Sequence, residues 1–295
     1  MNRRKAEAAL ALNTVVWGAT FVLVKAALAD VSPLLFLALR FSLATGALLA
    51  LFRGSSRRVP FTGKAAAAGA LAGVFLFSGY LFQTLGLRLT TAPKSAFITG
   101  LTSVMVPLLA ALVYRHRPQV SEVAGVLAAT AGLGLMTLER AGAAGSISRG
   151  DLLTSFCAIG FAAHIVTLGH FSESMRFQLL SVAQVGAAAV LALSSFWWAE
   201  TPYVRWRPAV ICAILVTGLL ATALAFTIQA WAQQYTTSTR TGLIYMLEPV
   251  FAWITSYGIM GEGLSGRAAA GAALILGGVA LVELKPLNPR LHPSS

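Results

Sequence analysis

Acidic residues are scarce in this chain. Ten Asp and Glu stand against 22 Lys and Arg in 295 residues, and charged side chains of both signs make up only 11%. A soluble protein carries about 25%. With 57% hydrophobic residues and a mean hydropathy of +0.76, a water-soluble fold is excluded. No hydrophilic stretch is long enough to form a separate soluble domain. The two cysteines, Cys157 and Cys212, both lie in apolar runs and read as packing thiols. No Cys/His spacing suggests a metal site. HExxH, GxSxG, GxxxxGK[ST] and any cluster of aspartates are all missing, which argues against hydrolase chemistry and nucleotide-driven pumping. No metal and no cofactor is expected, and the chain reads as no enzyme.

What recurs instead is the apolar run. A span needs about 20 apolar residues, and such runs lie near 8–28, 33–52, 65–86, 95–114, 121–138, 151–170, 177–198, 209–232, 241–260 and 267–283. The polar link ERAGAAGSISRGD (139–151) divides them five and five. The expected fold is an all-α polytopic membrane protein of ten transmembrane helices. Its first five-helix repeat covers 8–138, its second 151–283, and 139–150 forms the loop between them. The start, MNRRKAEAALALNTVVWGATF, imitates a signal peptide, but its apolar stretch is too long for a typical h-region and many spans follow. It reads as an uncleaved first span.

The net charge of +12 sits in short loops between apolar runs, where it fixes topology rather than binding nucleic acid. With the N-terminus inside, the cytoplasmic loops hold 13 Lys and Arg and the opposite loops 7, with Lys25 and Arg40 inside spans. Both termini are therefore expected in the cytoplasm, the chain lying in the lipid bilayer of a bacterial inner membrane. Monomer and homodimer both stay open.

The halves repeat. An offset of 146 sets LRLTTAPKSAFITGL (87–101) on QQYTTSTRTGLIYML (233–247): Thr90 and Thr91 fall on Thr236 and Thr237, Lys94 on Arg240, Leu101 on Leu247. Gln83 falls on Gln229, Gly125 on Gly271 and Gly132 on Gly278. An offset of 144 sets Trp17 on Phe161 and Arg40 on Gln184. Five is odd, so the second copy enters the membrane from the opposite side. Inverted repeats of this kind mark secondary transporters, whose substrate site lies near the midplane between the halves.

Several stretches carry a family resemblance: WGATFVLVKAAL, the RF of LALRFSL, GYLFQTLGLRLTTAPKSAFITGLTSVMVPLLAAL and YMLEPVFAWITSYGIMGEGLSGRAAAGAALILGGVAL. In order and spacing they resemble the two repeats of the EamA-type branch of the drug/metabolite transporter superfamily, over roughly residues 8–283. The resemblance implies a 5+5 inverted-repeat helical fold. It also implies movement of small organic solutes, often outward: amino acids, other metabolites or drugs. A non-transporting sensor or assembly protein would need an output domain or a large interaction loop, and neither is present; an intramembrane enzyme lacks a catalytic motif.

Residues at i, i+3, i+4 and i+7 share a helix face, and polar and aromatic stripes at that spacing give the candidate path. It comprises Asn13, Trp17, Arg40, Tyr80, Gln83, Thr99, His164, Phe226, Gln229 and Tyr245, with Trp17, Tyr80, Phe226 and Tyr245 as aromatic walls around a small-molecule substrate. Alternatives remain at several positions. Hydroxyls in membrane helices often bond to their own backbone, and His164 is either a satisfied polar contact or a proton carrier. Arg40 pairs with Glu248, with a substrate carboxylate or with lipid headgroups.

Within YMLEPVFAW, Glu248 lies at bilayer depth, where an ionised carboxylate costs roughly 3 kcal/mol or more. It is the candidate for proton coupling; the other reading is a protonated side chain that steadies the local bend. Pro249 and Pro107 each deprive a carbonyl, of Tyr245 and Ser103, of its helical donor. They read as paired kinks, serving gating or shape alone.

Overall fold

The structure, a computed structural model, describes residues 3–53, 62–90, 92–115, 119–138, 148–260 and 266–283. Residues 139–147 of the expected inter-repeat loop, and the tail from 284 onward, lie outside the described residues. The helices in chain order are α1 (Arg3–Ala27), α2 (Pro33–Leu51), α3 (Gly63–Leu89), α4 (Ala92–Gly100), α5 (Thr102–Tyr114), α6 (Val120–Leu138) and α7 (Arg149–Ser172). They continue with α8 (Phe177–Ala199), α9 (Pro208–Ala232), α10 (Ser238–Tyr245), α11 (Glu248–Met260) and α12 (Gly266–Glu283). Six of them, α1, α2, α3, α7, α8 and α9, are long and apolar enough to cross a bilayer. Among the described residues there is no β-strand, only an isolated bridge between Val31 and Val204.

Local chemistry sets the helix starts. Pro33 and Pro208 open α2 and α9, where their missing N–H has no helical partner to lose. The Thr62 hydroxyl accepts from the Ala65 amide at the start of α3. Ser148 and Asp151 form a reciprocal capping box on α7, at 2.8 and 3.1 Å. Large apolar side chains such as Leu112, Val190 and Leu127 face outward, as a lipid-facing surface requires. Trp197, Trp198 and Trp206 are also exposed, at the end of α8 and beyond it, as an interfacial belt would place them.

Two of the expected spans are broken. The run 95–114 divides at Leu101 into α4 and α5, and the run 241–260 divides at Met246–Leu247 into α10 and α11. The same short turn makes both breaks. The Leu101 amide donates to the Ile98 carbonyl (3.1 Å) and the Leu247 amide to that of Ile244 (3.0 Å); beyond the break, Met105 and Phe251 donate to Leu101 and Leu247. Each pair is related by the offset of 146. The two prolines expected at kinks lie beyond these turns. Helix α5 runs through Pro107. Pro249 sits in the first turn of α11, where no intrahelical donor is needed. The prolines are not repeat partners either, since the offset sets Pro249 on Ser103 and Pro107 on Trp253. The breaks, not the prolines, recur.

Packing follows a similar reciprocity. Helix α3 lies along α7 and α8, and α6 lies along α12. A Cβ on Gly125 would come 2.8 Å from the Gly278 carbonyl, and one on Gly132 2.5 Å from that of Gly271. Only glycine permits that approach. Each glycine therefore meets the repeat equivalent of the other, the self-complementary contact that a two-fold axis produces.

Candidate functional site

Helix α1 passes α9, α10 and α11 on its way across the molecule, and its second half lines a central cavity. A Cβ at Gly18 would lie 2.8 Å from the Glu248 carbonyl, so the start of α11 rests directly on α1. Beside it, Trp17 turns its ring into the cavity and donates from Nε1 to the Ala221 carbonyl at 2.9 Å. Ala221 belongs to a π-helical segment of α9, Val216–Leu224, a feature often found at functional sites.

Arg40 of α2 docks on that segment too. Its Nε donates to Thr222 Oγ1 (2.6 Å) and its Nη2 to the Ala221 carbonyl (3.3 Å) and the Tyr80 hydroxyl (3.0 Å). The guanidinium carbon stands 4.1 Å from the centroid of the Tyr80 ring, a cation–π contact. Only 4% of Arg40 is exposed, yet it lines the cavity. No carboxylate pairs with it among the described residues, so the expected pairing with Glu248 is not made in this conformation.

The aromatic side chains converge. Trp17 meets Tyr245 edge-on at 4.8 Å and Phe226 at 5.6 Å; Tyr80 meets Phe161 at 5.0 Å and Phe226 at 6.0 Å. His164 stands edge-on to Phe226 and shares a 2.7 Å hydrogen bond with Gln184 Oε1, a satisfied polar contact that also borders the cavity. Gln83 reaches Thr99 Oγ1 at 3.4 Å, and Gln229 reaches Gln233 Oε1 at 3.2 Å. Glu248 and Pro249 complete the lining. The Glu248 carboxylate has no hydrogen bond or ion pair among the described residues, and the residue stays partly accessible.

The sequence-expected residues thus gather around one space, with two departures. Asn13 is buried behind the wall, its amide donating to the Ala225 carbonyl at 2.9 Å, and Pro107 lies apart from the lining. Residues not singled out as path also line it, among them Phe21, Val24, Leu87 and Ile165. Their apolar character carried no signal in a chain this hydrophobic.

The EamA-like transporter family profile matches residues 4–138 and again residues 148–284. The chain belongs to the EamA-like transporter family. An uncharacterised transporter of Archaeoglobus fulgidus is 34% identical over 97% of this EamA-like chain and 88% of its own length. A probable amino-acid metabolite efflux pump of Salmonella typhimurium is 28% identical over 95% of this chain and 94% of its own. A solved crystal structure superposes with a TM-score of 0.78 at 22% identity, covering 96% of this chain and 98% of that one, which establishes a shared fold. The EamA-like chain is an integral membrane protein of transporter kind.

Proposed function

We propose that the chain carries small organic metabolites, amino acids or similar amphipathic solutes, out of the cell by alternating access, driven by proton or solute exchange. The observation that carries this reading is the cavity itself. A buried guanidinium and a carboxyl, neither with a partner of opposite charge among the described residues, face one aromatic-walled space between helices of both halves. A solute with a carboxylate finds its counter-charge at Arg40, and a cationic group finds one at Glu248.

The proposed frame is ten spans in two inverted halves, 8–138 and 151–283, joined by 139–150, in a bacterial inner membrane with both termini cytoplasmic. The matching breaks at Leu101 and Leu247 and the reciprocal glycine contacts support it. Discontinuous helices at corresponding places in two halves point to a binding site beside them, and the cavity takes Gly100, Thr102, Tyr245 and Glu248 from those breaks. The name of the Salmonella relative makes amino acids the first solutes to try.

Counterflow is the direct assay. Vesicles holding the purified protein and loaded with an unlabelled amino acid should take up a trace of the labelled one above its equilibrium level, then release it. A panel of amino acids and other amphipathic metabolites of which none overshoots would refute transport of this class.

A further inference from the structure

Two acid–hydroxyl contacts stand at opposite ends of the cavity, outside the site described. At one end the Thr236 hydroxyl donates to Glu7 Oε1 at 3.0 Å. At the other the Thr90 hydroxyl donates to Asp151 Oδ1 at 2.9 Å. The offset of 146 sets Thr90 on Thr236, and the offset of 144, which sets Trp17 on Phe161, sets Glu7 on Asp151. The two contacts are one contact, built twice.

Their placement gives them meaning. Glu7 lies in the first turns of α1. Near the far end of the same helix, Lys25 Nζ donates to the carbonyls of Leu87 and Thr90, at 2.6 and 3.1 Å. The stretch of helix from Glu7 to Lys25 puts the contacts about 27 Å apart, and the cavity lies between, along Trp17, Thr20, Phe21 and Val24. Both contacts join one half of the chain to the other: Glu7 of α1 to the link between α9 and α10, and Asp151 of α7 to the link between α3 and α4. Neither acid belongs to the cavity wall.

The ends differ in depth of closure. At the Glu7 end, Arg240 Nη1 stands 3.6 Å and Arg3 Nε 3.2 Å from the same carboxylate oxygen. Arg240 is 2% exposed. Ala6, Leu10, Leu243 and Ile244 pack as a buried apolar layer beside this cluster, on the same helices. At the Asp151 end the cavity wall reaches Leu87, within one turn of Thr90, with no comparable layer among the described residues.

We propose that Glu7 with Thr236 and Asp151 with Thr90 are the paired closing contacts of the transport cycle, each holding the two halves together at one end and released when that end opens. The proposal rests on the alternating-access reading. A carboxylate is a strong acceptor for a hydroxyl, and the inverted repeat supplies the same device to both faces. Release of one contact then biases the chain toward opening on that side only.

The test uses a single reporter cysteine, Thr20→Cys, in a Cys157→Ser, Cys212→Ser background, with a membrane-impermeant maleimide offered to either face of oriented vesicles. Glu7→Gln should raise labelling from the side of the N-terminus about ten-fold relative to the other side, and Asp151→Asn should shift the ratio the opposite way. Thr236→Val and Thr90→Val remove only the donors and leave the charges in place. They should reproduce the two directions even where a carboxylate variant fails to fold. Unchanged ratios, or shifts in one common direction, with the reporter thiol reachable from both faces in the parent, overturn the paired contacts and leave alternating access standing. Labelling from one face alone in the parent and every variant overturns alternating access and the proposal with it.

Discussion

A Glu248→Gln protein is expected to fold and to move its solute at a rate that no longer follows pH. The side chain sits at the opening of α11, directly after the break in its span, and faces the cavity with no partner among the described residues. An ionised carboxylate at membrane depth costs about 3 kcal/mol on insertion scales, roughly a hundred-fold in equilibrium. Neutralising it, by a proton from one side or a cationic group of the solute from the other, is therefore coupled to any step that shuts water out of the cavity. Glutamine keeps the shape and one acceptor but holds no exchangeable charge. The wild type should export faster when the outside is more acidic, and the variant should be indifferent. Transport assayed across a series of imposed pH gradients decides it. A folded variant with wild-type pH dependence would remove Glu248 from the coupling.

The second large effect belongs to Arg40. Arg40→Gln is expected to unfold at no lower a temperature than the wild type and yet to lose stabilisation by carboxylated solutes. Burying a cation without an acid is expensive, and glutamine removes that charge while keeping hydrogen-bonding groups for its neighbours. Here the hydroxyls of Tyr80 and Thr222, the Ala221 carbonyl and the Tyr80 ring hold the guanidinium in place, so its retention points to use rather than to stability. A bound solute at about a hundred times its dissociation constant stabilises the wild type by about 2.7 kcal/mol. Thermal unfolding with and without carboxylated solutes should show that shift in the wild type and none in the variant. An undiminished shift would place the carboxylate elsewhere.

Much of this arrangement is legible in the sequence. Apolar run length marks the helices, because lipid imposes a single length scale on every span. The Thr-Thr, Gln and Gly pairs at an offset of 146 expose the repeat, since polar residues in an apolar chain are few enough for coincidence to show. Trp17, Tyr80, Phe226 and Tyr245 converge because i, i+3, i+4 spacing records which face a helix turns inward. Other features are not legible. The breaks at Leu101 and Leu247 use ordinary apolar residues, and Pro107 lies within α5, past the first break. A proline marks a lost donor, but whether the helix stops there depends on its neighbours. The π-helical turn of α9 has no sequence signature. Glu7 and Asp151 stand at span ends among loop charges, and only the fold brings each to its threonine.

In the proposed frame the two halves face opposite ways around one path, and a pair of reporter fusions measures that most directly. A reporter active only in the cytoplasm, fused at the C-terminus, should be active, and the same reporter inserted at Gly145 should be silent. One active only outside the membrane should give the reverse pattern. Both positions reporting from the same side would contradict an odd number of spans per half, and with it the inverted repeat.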